Sequence, residues 1–221
     1  MRKILTGAFA ILSLFATAQT TAQARAILDD VKENLLSYSD QSFDFTSTIE
    51  IPTGNADNPR MTRESSGSVV LVGQNYKVET QGQIAMLNGN RAYIIVPDDR
   101  EVTVRILEDD NMAFTPNGVV SRFESGSSLS LAGNETIAGK NIQYIRVRPN
   151  GDEEIRDLVL GVDMATKRIS SFTEYGTNDV ITKYVVSNYR VNQGLPASAV
   201  EFNRAHYDGW RINEPRSRRR R

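Results

Sequence analysis

Between residues 42 and 51 the chain reads SFDFTSTIEI, with Phe43, Phe45, Ile49 and Ile51 alternating against Asp44, Thr46, Thr48 and Glu50. A period of two predicts a strand with one dry and one wet face. Upstream the period is helical. Leu28, Val31, Leu35 and Tyr38, widened by Ile27 and Leu36, form a stripe that predicts an amphipathic helix over about 24–38. Downstream, strand patterns recur at 43–51, 64–72, 75–80, 84–86, 91–96, 101–107, 127–131, 141–149, 153–162, 167–175 and 180–192. Gly73-Gln74, Asn88-Gly89-Asn90 and Asn150-Gly151 supply tight turns between them. This is a meander of about eleven strands. It is interrupted at 108–125, where Thr115-Pro116 opens a short helix bearing Val119, Val120 and Phe123, stopped by Gly126.

Strand number bears on function. An eight-stranded barrel is filled by its own side chains or holds one small ligand, and the interior widens with further strands. About eleven strands with only two helices to plug or cover them enclose more space than ordinary side chains fill. Taking the apolar members of successive strands gives a candidate lining of Phe43, Phe45, Ile49, Tyr76, Val78, Ile84, Met86, Tyr93 and Ile95. Such a lining suits hydrocarbon rather than sugar or phosphate. The alternative is that these side chains interlock with the first helix as an ordinary core.

The ends of the chain narrow the setting. Arg2 and Lys3, the apolar run Ile4 to Ala16, and Ala16-Thr17-Ala18 form a secretory leader. Residues 1–18 are therefore expected to be removed, with Ala22-Gln23-Ala24 a second candidate cleavage site, leaving one domain over 19–214 and a basic tail over 215–221. Losing Arg2 and Lys3 takes the formal charge from −1 to about −3, and the five arginines of the tail leave a body near −8. A basic tail of this kind is either solvated or drawn to anionic headgroups, and nucleic acid is an improbable partner for an exported chain.

There is no cysteine and one histidine, His206, which removes most metal chemistry and any acylated N-terminal cysteine. No nucleophile elbow, phosphate-binding loop or metal spacing occurs, so neither an enzyme nor a cofactor is expected. The acidic pair Asp109-Asp110 and the run Asp152-Glu153-Glu154 fall in turn-like segments and read as solvated.

The order of these elements resembles one family, the periplasmic outer-membrane lipoprotein carriers called LolA. The likeness runs from the leading helix and SFDFTSTIEI through GSVVLVGQNYKVET (67–80) and LNGNRAYIIVPDDREVTV (87–104). It continues with the Thr-Pro-led helix and NYRVNQGLPASAVEF (188–202). It implies an unclosed antiparallel β-barrel with an α-helical lid over an apolar cavity, in a monomeric periplasmic chaperone. Such a protein receives acylated lipoproteins from an inner-membrane ABC transporter and yields them to an acceptor or to the outer membrane. Val119, Val120 and Phe123 would belong to the lid, and Tyr76 would stand near the cavity mouth. The family's Arg-Pro turn, which ties down the lid, is replaced here by Gly73-Gln74, so no latch residue is assigned. A sensor of mislocalised lipoprotein, or a carrier of a fatty acid or polyprenoid, is the alternative for the same fold.

Overall fold

Two-residue turns fix the registers of the first half of the sheet. The computed structural model describes residues 8–107, 128–149 and 154–215, with side chains from Thr20 onward. A single helix, α1 (Ala8–Ser37), leads into β1 (Asp40–Pro52), β2 (Arg60–Val72), β3 (Asn75–Thr80), β4 (Gln83–Asn88), β5 (Arg91–Val96) and β6 (Glu101–Ile106). The turns between β2 and β5 place Gly73, Gly82 and Gly89 at φ of +59°, +84° and +59°, the left-handed region where a Cβ is strained. After residue 127 come β7 (Ser128–Ile137), β8 (Lys140–Arg148), β9 (Ile155–Asp163), β10 (Arg168–Gly176), β11 (Ile181–Val191) and a short β12 (Arg211–Asn213).

The described strands form one sheet in the order β12-β6-β5-β4-β3-β2-β1-β11-β10-β9-β8-β7, and its two end strands are not paired with each other. The architecture is mainly β: an unclosed sheet, antiparallel except where β12 joins β6 in parallel. The eleven expected strands are present. The twelfth, β12, is three residues too short to show alternation. The leading helix is longer than expected, passing through Ala18 without a break and ending one residue before Tyr38.

By contacts the chain forms two units. One holds the described residues of 1–35, 50–61 and 123–183, the other those of 36–49, 62–122 and 184–221. In the first unit, Ile145 pairs with Leu160 and Val147 with both Leu129 and Leu158. These five and Val162 are buried. α1 buries Ala24, Leu28 and Val31, one side of the helix at i, i+4 and i+7. Polar contacts fasten it to β7 and to the β9–β10 turn. Thr21 Oγ1 donates to the Leu129 carbonyl at 3.1 Å, Asn34 Nδ2 donates to that of Thr166 at 3.3 Å, and Lys167 pairs with Asp30 at 3.1 Å.

Candidate functional site

In the second unit the registers sort the side chains of β2 to β6 onto two faces. Leu71, Tyr76, Leu87, Ala92 and Arg105 are paired in one row across five strands, and Val69, Val78, Ala85, Ile94 and Thr103 in the next. The intervening residues, among them Lys77, Met86, Tyr93 and Val104, point to the other side because successive strand residues alternate. The expected lining is thereby divided. Tyr76 and Val78 share a face with Phe43 and Phe45, whereas Ile84, Met86, Tyr93 and Ile95 lie on the opposite one. The reason is the Gln81-Gly82 turn. It pairs Thr80 with Gln83, so Val78 faces Ala85 and not Ile84.

The second face is covered by the chain's own C-terminal segment. Phe202 stacks on Tyr93 with ring centroids 4.1 Å apart, Tyr207 stacks on Phe202 at 5.0 Å, and Trp210 meets Tyr207 edge-on at 5.1 Å. Asn88 pins this strap at both of its amide atoms. Its Nδ2 donates to the Val200 carbonyl and its Oδ1 accepts from the Phe202 N–H, each at 2.7 Å. Beneath the strap Ile95 and Val102 are fully buried, with Met86 and Val104 nearly so. Burial, with a smaller contribution from the negative charge of Glu79, pushes the Tyr207 phenol up. The strap was missed because 197–213 carries its aromatics singly, at Phe202, Tyr207 and Trp210, along a stretch of two 3-10 turns, connecting residues and a three-residue strand, where neither period repeats. His206 lies exposed in the second of these turns, 3.3 Å from the Asn203 amide.

The Phe45 face is built differently. Phe43, Phe45, Val78 and Leu107 are only half-buried against Val69, Leu71, Tyr76, Leu87 and Ala92. Gly67 makes room for the Phe45 ring. A Cβ at that position would collide with the Glu79 carbonyl and stand 2.8 Å from the ring. Two tyrosines of β11 that sequence reading did not single out extend the aromatic surface. Tyr189 stacks on Phe43 at 5.2 Å and Tyr184 tilts against Phe45 at 6.1 Å. They are five residues apart, so simple alternation would place them on opposite faces. Asn188, left-handed at φ +53°, is the extra residue that brings both to one side. Its amide also donates to Asp44 at 2.7 Å. Burial pushes the Tyr76 phenol up. Ile49, further along β1, is half-buried and joins neither cluster. Val119, Val120 and Phe123, with the helix expected around them, lie outside the described residues.

The strand β1 that carries both phenylalanines is fixed at its start by Asp40. Asn192 and Gly194 are left-handed, at φ +53° and +70°, and the turn they make aims the N–H groups of Gln193, Gly194 and Leu195 at the Asp40 carboxylate, at 2.7, 3.0 and 3.4 Å. Burial alone would raise this carboxyl. These donors and the Ser39 hydroxyl outweigh it and hold Asp40 below the ordinary carboxylate range. The Gly-Leu-Pro stretch quoted above is thus half of a clamp on β1.

No family model matches the sequence, and no curated protein is similar enough to be matched. Solved structures do align with it. An uncharacterized conserved protein from Thermus thermophilus shares 13% identity at a TM-score of 0.55, over 87% of this chain and 99% of its own. A protein domain described as outer membrane lipoprotein-sorting, from Vibrio parahaemolyticus, aligns at 11% identity and a TM-score of 0.44, over 85% and 99%. A LolA superfamily protein from Nitrosomonas europaea aligns at 12% and 0.42, over 81% and 97%. Identities this low speak to fold alone, and the fold is shared with the Thermus thermophilus protein; a leading helix and an unclosed, mainly antiparallel sheet are the mainly β architecture expected from the order of sequence elements.

Proposed function

We propose that the Phe45 face receives the acyl chains of lipoproteins and that the protein is an envelope carrier, shielding those chains between the inner and the outer membrane. The observation that carries this reading is the contrast between the two faces of one sheet. The Trp210 face is closed by the chain's own strap, whereas the Phe45 face keeps Phe43, Phe45, Val78 and Leu107 half-buried around the small side chains of Ala85 and Ala92. The resemblance of the sequence to the LolA carriers supports it, and no described helix is long and apolar enough to cross a membrane. An inner-membrane releasing transporter would load the carrier, and an acceptor or the outer membrane would unload it.

The chemistry is physical transfer. Each acyl CH₂ removed from water contributes about 0.8 kcal/mol, so a tightly fitted site for several chains would never release them. A surface that is already half covered by its own aromatics gives up less water on binding and lets the cargo leave. The lid expected over 115–124 would compete with the guest in the same way.

Native mass spectrometry of protein purified from its host's envelope tests the reading. Acylated protein or lipid adducts are expected on the wild type and lost from Phe43→Asp and Val78→Asp, with both variants still folded by circular dichroism. Wild-type protein that is always recovered empty, and does not release lipoproteins from spheroplasts, would remove the assignment.

A further inference from the structure

The row Leu71–Tyr76–Leu87–Ala92–Arg105 begins with four uncharged residues and ends on a cation. Arg105 is exposed on β6, at the margin of the Phe45 face, with Thr103 two residues away on the same face. Directly paired residues stand about 5 Å apart at Cβ, so the stem of Arg105 borders the buried Ala92 while the residue itself stays exposed at the edge of the face. The described carboxylates of this part of the sheet are engaged elsewhere: Glu79 with Lys77, Glu101 with Arg211, and Glu214 with Arg91 and Arg204. An arginine at the margin of an apolar surface, with no ion pair to a described carboxylate, is suited to an anionic group brought with the hydrocarbon.

Building on the carrier reading, we infer that the ligand of the Phe45 face is an anionic amphiphile. Its chains lie over Val78 and Ala85, and its carboxylate or phosphate is held by Arg105. The half-buried Val78 and Ala85 mark the course of the chains, and the exposure of Arg105 keeps the charged end in water-accessible surroundings. A charge at that end is therefore accommodated without being buried.

Matched probes separate this inference from the reading it rests on. Oleate and methyl oleate carry the same chain and differ in one negative charge. By fluorescence displacement at low salt, the wild type is expected to prefer oleate about tenfold, the ratio falling as salt is added. Arg105→Ala should bring the ratio to about one, and Arg105→Lys should restore part of it. Equal affinity of the wild type for both probes overturns the inference and leaves the carrier reading standing. That result is expected if the acidic run Glu108-Asp109-Asp110, which begins three residues further on, neutralises the guanidinium. A preference that persists in Arg105→Ala overturns it as well. Failure of the wild type to bind either probe overturns both.

Discussion

At the first residue of β1 four donors outweigh the cost of burying a carboxylate and hold its pKa below the ordinary value, and this makes Asp40 a titratable fastening. Its folded pKa is lowered, so its stabilisation is complete above the unfolded value of about 3.9 and is lost as pH falls through the folded value. Asp40→Asn should therefore melt below the wild type at pH 7, with the two melting temperatures converging as pH drops below about 4. A gap that stays constant from pH 7 to pH 2 in scanning calorimetry would show that the carboxylate charge is not what holds the clamp. Gly67 is a second case in which one atom decides. Its φ is ordinary, but a Cβ meets the Glu79 carbonyl and the Phe45 ring. Gly67→Ala is expected to cost about 1–3 kcal/mol by overpacking, measured by urea denaturation. Because the ring must move, lipid binding should change with it. Neither requirement could be read from the sequence, since each depends on what a distant strand brings alongside.

At the scale of elements, most strands were legible and their faces were not. Predicted and observed bounds of β3 and β5 coincide, and those of β2, β6 and β8 to β11 differ by a few residues at either end. Sequence reading failed at β4, which is apolar on both sides: Ile84, Ala85, Met86 and Leu87 run together, so alternation carries no information there. The two-residue turn at Gln81-Gly82 held the missing information, because a hairpin loop of known length fixes which residues pair. The consequence for the site is concrete. Ile95→Asp would bury an unpaired charge in a fully enclosed position and should unfold the protein, at a cost of about 4 kcal/mol or more, whereas Val78→Asp on the half-open face should spare the fold. If Ile95→Asp melts like the wild type, the strap does not cover that face. The strap itself has a built-in reporter, since Trp210 is the single tryptophan of the sequence. Asn88→Ala removes the bonds to Val200 and Phe202, an expected loss of about 1–3 kcal/mol. Trp210 emission should shift to the red at lower denaturant than in the wild type. An unaltered emission curve would mean that the aromatic stack alone holds the strap.

For the whole molecule, the two contact units are woven from the same strands. β1, β2 and β11 each contribute residues to both, with the division falling near Ile49, Met61 and Lys183. A boundary that cuts through three hydrogen-bonded strands differs from one that cuts through linkers, because neither unit can lose its share of a strand without disturbing the other's ladder. Sequence reading found no mid-chain linker and expected one domain over 19–214, and among the described residues the division falls within strands. Without cysteine, cohesion rests on packing and ladders alone. Unfolding is therefore expected to be a single cooperative transition. Trp210 fluorescence reports on the second unit, and amide exchange along β8 and β9 reports on the first. The two should give one midpoint in urea. Two separated midpoints, with β8 and β9 protected after Trp210 is exposed, would show instead that the units are independent and that β1, β2 and β11 break at the division. The carrier reading favours the single transition, since Phe43 and Phe45 stand on the part of β1 that belongs to the second unit while the strand continues into the first. A chain whose halves unfolded separately would release its cargo whenever either half opened, whereas a cooperative one keeps it until the lid or the partner acts.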